Sequence, residues 1–204
     1  GTTSRRTKFA GGYDPVQTKK ALIAAGLALF QRNGFHGTSV KDIVDEAKLT
    51  KGAFYHHFES KEELLVLIHD EYLDYQSELI QRVQAIPGTA PERLRKFISA
   101  VMEGMEQYHA NVTVFFQERR YLTGRRFSQL RARRERLEQQ FHKMITEGVE
   151  AGEFRRDLDV QVTCLAILGM CAWTYNWFRP DGRMSAEEIA ETFSRLVLDG
   201  LAKR

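Results

Sequence analysis

The residues best suited to chemistry lie in the run from Thr38 to Leu65, TSVKDIVDEAKLTKGAFYHHFESKEELL. Within it, Thr50, Lys51, Tyr55 and His56 offer hydroxyls, an ammonium and an imidazole on one face of a short helical stretch. Donors and charge of that kind suit phosphate oxygens and base edges, so the chemistry is binding to a nucleic acid. Gly52 lets a phosphate approach the backbone at the helix start, where free N–H groups favour an anion. Lys41 and Lys61 are expected to flank the groove. Bond-breaking chemistry has no comparable support. The chain carries no glycine-rich phosphate loop, no H-E-x-x-H, no G-x-S-x-G and no paired E-x-x-H signature, which weighs against an all-helical enzyme as the alternative from another class.

Those side chains need a support, and the same run supplies one. Ser39 is a helix cap with Asp42 reaching back, and Val40, Ile43, Val44 and Ala47 give the following short helix an apolar face. Leu49 is the expected buried turn residue and Thr50 the next cap. Lys51 to His57 then make a helix of only two turns, too short to stand without packing, with Phe54 and Phe58 facing inward. Ser60 and Glu63 form a capping box that opens a longer helix. Adjacent His56 and His57 are separated by roughly 100° round the helix, so no metal site is expected there.

The run from Asp14 to Leu65 resembles the DNA-binding domain of the TetR family of bacterial one-component repressors, most clearly in "TSVKDIVDEA", "KGAFYHHF" and "SKEELL". The resemblance implies DNA contacts from Ser39 and Lys41, from Thr50, Lys51, Gly52, Ala53, Tyr55 and His56 on the recognition helix, and from Lys61. One departure is Lys48, where the family usually has Gly in the turn. A non-glycine residue held at positive φ there costs about 1 kcal/mol.

Composition is that expected of an ordinary soluble globular protein. The 204 residues are 43% apolar and 28% charged, with a net charge of +3. Up to Lys61 there are ten Lys or Arg against five Asp or Glu, a balance of +5; the remaining 20 against 22 give −2. The positive field is therefore expected over the N-terminal end. Cys164 and Cys171 lie about two turns apart in one apolar helix, too far along the axis for a disulfide, and read as core residues in a reducing cytoplasm. No metal or cofactor is indicated. No run suits a membrane span and no signal-peptide core opens the chain, so a cytoplasmic location is expected.

The expected architecture is all-α. Residues 1–13 form a flexible basic arm, 14–60 a three-helix helix-turn-helix domain, and 61–204 a helical domain for ligand binding and dimerisation. In the first helix Leu22, Ile23, Leu27 and Phe30 form the buried face. Val160 to Phe178 is apolar nearly all round and needs cover on every side. The last helix carries a stripe of Ile189, Phe193, Leu196, Val197 and Leu201. These two helices are read as a homodimer interface in a four-helix bundle, which would set two recognition helices on a palindromic double-stranded operator.

In the family, the C-terminal domain holds a small-molecule pocket, and occupancy moves the connecting helix so that the heads leave the operator. The candidate lining is Met102, Met105, Tyr108, Phe115, Phe116, Leu168 and Trp173, with Arg119 from an arginine-rich stretch, Gln117 to Arg136. "GEFRRDLD" and "WFRPDGRMSAEEI" are similar to repressors of lipid and steroid-ring breakdown that answer acyl-CoA thioesters. A small hydrophobic effector of acyl-CoA type is thus expected. The alternative is a multidrug sensor using a buried carboxylate, for which Glu103, Glu106 and Glu118 are the candidates.

Overall fold

The computed structural model describes residues 14–202. Among them the chain is all-α, with one 3₁₀ turn and no strand. The expected arm at 1–13 lies outside the described residues. Two compact units divide the chain, one ending at Leu64 and the next starting at Leu65, so the border falls inside a helix.

The first unit contains α1 (Pro15–Asn33), α2 (Val40–Glu46), α3 (Lys51–His57) and the first turn of α4 (Lys61–Ala85). Asp14 caps α1 by accepting from the Val16 and Gln17 N–H groups, with Pro15 in the first turn. The Ser39–Asp42 box opens α2 as expected. Leu22, Phe30, Ile43, Val44, Phe54, Phe58 and Leu64 pack the interior. Leu29 joins them, whereas Ile23 and Leu27 are only half-buried, because α1 rotates its buried stripe toward Leu22, Ala25, Leu29 and Phe30. Leu49 is half-buried as well, not fully enclosed.

The turn between α2 and α3 explains the Lys48 departure. Leu49 N–H donates to the Val44 carbonyl at 2.8 Å and Lys48 N–H to the Asp45 carbonyl at 3.1 Å. This is the paired closure of a Schellman motif, which places Lys48 in the left-handed region at φ 56°.

The second unit holds the rest of α4, then α5 (Ala90–Gln107), α6 (His109–Glu118), the 3₁₀ turn Arg119–Tyr121, α7 (Gly124–Glu150), α8 (Val160–Trp177) and α9 (Ala186–Leu201). Helix α5 is central, lying along α9 and meeting α6, α7 and α8. Gly104 permits this packing, since a Cβ there would sit 2.1 Å from Tyr75 Cε1. The Tyr75 hydroxyl donates to the Ala100 carbonyl at 2.6 Å, tying α4 to α5. Helix α7 begins at Gly124, where φ of 80° turns the chain. Both cysteines are buried and free.

Helix α8 buries Cys164, Ile167, Cys171 and Thr174 at helical spacing. Its other side leaves Val162, Leu165, Trp173 and Trp177 exposed, joined by Leu196 of α9 at 67% exposure. Single exposed apolar side chains are ordinary; five large ones on two helices are a surface made for contact.

Candidate nucleic-acid interface and effector cavity

Helix α3 has seven residues and one fully buried anchor, Phe54. Burying a Phe contributes roughly 1.5–3 kcal/mol, which is what holds so short a segment in place. Phe54 and Phe58 pack ring against ring, with centroids 5.2 Å apart. The opposite face then points outward: Lys51, Gly52, Tyr55 and His56 are exposed and Ala53 is half-buried. Tyr55 keeps more than half its surface exposed while its ring edge rests on Phe54, so the hydroxyl is held outward by packing at its base. The Thr50 hydroxyl accepts from Ala53 N–H at 3.1 Å and the Ser39 hydroxyl is engaged with Asp42, so both serve first as caps.

Three expectations change in the folded chain. Lys61 does not reach outward: its ammonium donates to the carbonyls of Phe35 at 2.7 Å and Thr38 at 2.8 Å and lies over the Phe35 ring. It pins the start of α4 to the loop before α2, because those carbonyls have no helical partner of their own. His56 and His57 meet edge to face with ring centroids 5.0 Å apart, since side-chain torsions close a gap that backbone position alone leaves open. Among the described residues no group of three His, Cys, Asp or Glu side chains could hold a metal ion. Finally, carrying the charge count to Leu64 adds Glu62 and Glu63, and the balance drops to ten against seven. The surplus of three equals the contribution of Arg5, Arg6 and Lys8, so residues 14–64 are balanced overall and the cationic character there is local. Lys41 is paired with Asp45 one turn on, an exposed ion pair that contributes little and that a phosphate can displace.

The second unit holds a partly open cavity of about 100 Å³. Of the expected lining, Met105, Phe116 and Leu168 are in its wall. Met102 and Phe115 are buried in packing behind it, Tyr108 packs on Tyr72 and Tyr75, and Arg119 is exposed with its guanidinium over Phe116. Trp173 is corrected most plainly: at 57% exposure it lies on the outer side of α8, because the inward stripe passes through Cys171 and Thr174. None of Glu103, Glu106 and Glu118 lines the cavity; Glu138 does.

Arg134, from the arginine-rich stretch, is in the wall, and residues missed from the sequence join it: Tyr72 and His69 from α4, Phe97 and Val101 from α5, and Phe141 from α7. His69 stacks flat on Phe115, with centroids 3.6 Å apart and planes 10° from parallel. Burial, then the charges of Arg134 and Arg133, hold its imidazole well below the usual range, so it is neutral near pH 7. Burial also pushes the Arg134 guanidinium down from its ordinary value. One residue along from these two, Asp70 on α4 and Arg133 on α7 pair at 3.2 Å; Arg133 also pairs with Asp74 and lies 3.5 Å from Ser77. Burial raises the Asp70 carboxyl more than Arg133 lowers it. Asn111 of α6 donates to the Ile68 carbonyl at 2.9 Å, fixing the same stretch of α4.

A short helix seated on a buried phenylalanine, its polar face outward after a tight turn, is a helix-turn-helix. Joined in one chain to a helical unit with an internal cavity, it defines a one-component regulator. Residues 22–68 match the family described as bacterial regulatory proteins, tetR family, and residues 87–201 match the tetracyclin repressor-like C-terminal domain. The chain belongs to the TetR family and is a transcriptional regulator. It is 30% identical over 183 residues to the HTH-type transcriptional repressor KstR2 of Mycobacterium tuberculosis, covering 89% of this chain and 92% of that protein. The crystal structure of the TetR family regulator PfmR from Thermus thermophilus superposes with a TM-score of 0.82 at 33% identity, covering 89% of this chain and 99% of the other. The structure of AibR in complex with isovaleryl coenzyme A and operator DNA gives 0.77 at 28% identity, covering 88% and 97%. No helix among the described residues is long and apolar enough to cross a membrane.

Proposed function

We propose that this chain is a cytoplasmic repressor that binds a palindromic operator as a homodimer and leaves it when a short-chain acyl-CoA thioester enters the cavity of its second unit. The observation that carries the DNA half is the outward face of α3, with Phe54 buried beneath Lys51, Tyr55 and His56. Lys51, Tyr55 and His56, with Gly52 and Ala53 at the helix start, are the proposed contacts to bases and phosphates. Ser39, Lys41 and Thr50 sit at helix starts, where backbone N–H groups meet phosphates. Lys61 acts indirectly by holding the loop before α2. The exposed apolar side of α8 with Leu196 is the proposed dimer surface, which gives the two-fold symmetry a palindrome requires.

The effector half rests on the cavity. At about 100 Å³ and partly open to the surface, it suits a short acyl group. The arginines around it, Arg119 and Arg134 among them, suit a ligand with an apolar end and phosphates. The similarity to AibR, solved with isovaleryl coenzyme A and operator DNA, supports the same class. A cation-sensing multidrug role is disfavoured by Arg134 in the wall. For release, the ligand must prefer the form that does not fit DNA: driving a 1:99 balance to 99:1 takes about 10⁴-fold tighter binding to that form. Helix α4 contributes both to the cavity wall and, through its first turn, to the head unit.

The test begins with a duplex selected from a random pool and followed by fluorescence anisotropy at several salt concentrations. Preference for a palindrome over random DNA by at least roughly 10³-fold is expected. Isovaleryl-CoA is then titrated against the complex, with free coenzyme A and a neutral aromatic drug as comparisons. Release by the thioester alone supports the reading; release by the drug alone rejects it.

A further inference from the structure

His69 is 1% exposed, and neither Nδ1 nor Nε2 has a hydrogen-bond partner. A neutral imidazole carries one donor and one acceptor, and orphaning both in the interior is costly. Packing does not require it, because a phenylalanine would stack on Phe115 equally well without that cost. The ring lines the cavity, so its unused N–H is available to whatever enters.

Arg134 also lines the cavity. Its Cζ lies 5.3 Å from the Phe116 centroid and 5.8 Å from that of Phe115, the ring on which His69 stacks. Its neighbours on α7 have carboxylates: Arg133 pairs with Asp70 and Asp74, and Arg131 with Glu135. Arg134 has no ion pair among the described residues; Glu138, exposed and one turn away, acts on it only through space. A desolvated guanidinium calls for an anion, and its planar fork matches a carboxylate.

We propose that His69 and Arg134 form a polar subsite in the cavity for a carboxylate at the far end of the effector's apolar body, with Arg134 donating to it and His69 N–H donating alongside. Tyr72 and Gln76 border the same wall and offer further polar contacts. A ligand ending in a methyl group leaves the His69 N–H and the Arg134 charge unsatisfied; a ketone satisfies the His69 N–H alone. The preferred effector is therefore the half-thioester of a short dicarboxylic acid. This deepens the thioester reading above and rests on it for the ligand's other end.

The experiment compares glutaryl-CoA with valeryl-CoA, which share a five-carbon chain and differ in a terminal carboxylate against a methyl group. Calorimetric titration of the full chain is expected to show glutaryl-CoA binding at least tenfold tighter. In His69→Phe, and separately in Arg134→Met, that ratio collapses to within threefold of unity. With ¹⁵N-labelled histidine, the His69 ring resonances shift on adding glutaryl-CoA and stay in place with valeryl-CoA. Equal affinities in the parent protein, or a preference that survives both substitutions, overturn the subsite while leaving the thioester reading intact. Monomethyl glutarate separates the opposite failure: if neither thioester binds but this ester does, with the His69 shift, the subsite stands and the thioester reading falls. Failure of both glutaryl-CoA and monomethyl glutarate to bind overturns the subsite.

Discussion

Replacing Lys48 by glycine is expected to stabilise the head unit. Lys48 sits at φ 56° between α2 and α3, closed by two backbone hydrogen bonds that fix it there. Holding a residue with a Cβ in that region costs roughly 1–2 kcal/mol. Glycine removes the cost but gains freedom in the unfolded chain, which returns part of it. The net gain is about 0.5–1 kcal/mol. The Lys48 side chain is exposed, so the change also removes a surface charge. Lys48→Ala corrects for that, since alanine loses the same charge and keeps the Cβ. Urea unfolding followed by circular dichroism is expected to rank glycine above alanine by about 1 kcal/mol, with an unchanged m-value. In thermal unfolding this corresponds to roughly 4–8 °C if a head of this size melts alone, and roughly half that if the whole chain melts together. Glycine and alanine variants of equal stability would refute the assignment of strain to this turn.

Lys51→Ala is expected to weaken every duplex and lower the salt slope by about one, as for loss of one phosphate contact; loss confined to the selected palindrome would make it a base contact instead. Leu196→Asp leaves the single chain intact, since Leu196 is 67% exposed in it, but buries a charge in the proposed dimer surface. Sedimentation should find monomers, and a persisting dimer would move the interface elsewhere. Near neutral pH His69 is uncharged in the folded chain, whereas the unfolded chain takes up its proton as pH falls through 6.5. Stability is therefore retained above that pH and lost below it, by up to about 1.4 kcal/mol per pH unit. Unfolding at about pH 7.5 and 5.5, either side of the free histidine value, should show His69→Phe flattening this loss, and an unchanged slope would exclude His69 as its source.

Much of the fold was legible because its signals are local. Ser39–Asp42 is a capping box written three residues apart, and it opens the helix it announces. The face of α3 was legible for the same reason: two phenylalanines four apart leave only one side free. The cavity was harder. Met105, Phe116 and Leu168 were found as apolar side chains at helical spacing, but that pattern cannot separate a cavity wall from packing, and it drew in Met102 and Trp173. His69 gave no pattern at all. It sits between the apolar run ending at Ile68 and the acidic pair Asp70-Glu71, and only tertiary structure shows that both its nitrogens lack partners. Lys61 misled for a related reason, since the carbonyls of Phe35 and Thr38 that it binds lie more than twenty residues earlier.

The arrangement of α4 against α7 joins the cavity wall to an ion pair between the same two helices. On α4, His69 lines the cavity and Asp70 pairs with Arg133; on α7, Arg134 lines the cavity and Arg133 makes that pair. A ligand held by His69 and Arg134 thus acts on the two backbone positions that the Asp70–Arg133 pair already joins. A ligand of the wrong length must either draw these helices together or force them apart, and the pair resists only weakly: partly exposed ion pairs are worth about 1 kcal/mol or less. Gly104, against Tyr75, leaves little slack farther along α4, so displacement near His69 is not easily absorbed there. The same helix supplies Leu64, which fills the space beside Gly26 within the head. If the cavity is occupied as proposed, a shift of α4 near Asp70 is the expected response, and it must also strain the Asn111 hydrogen bond to the Ile68 carbonyl.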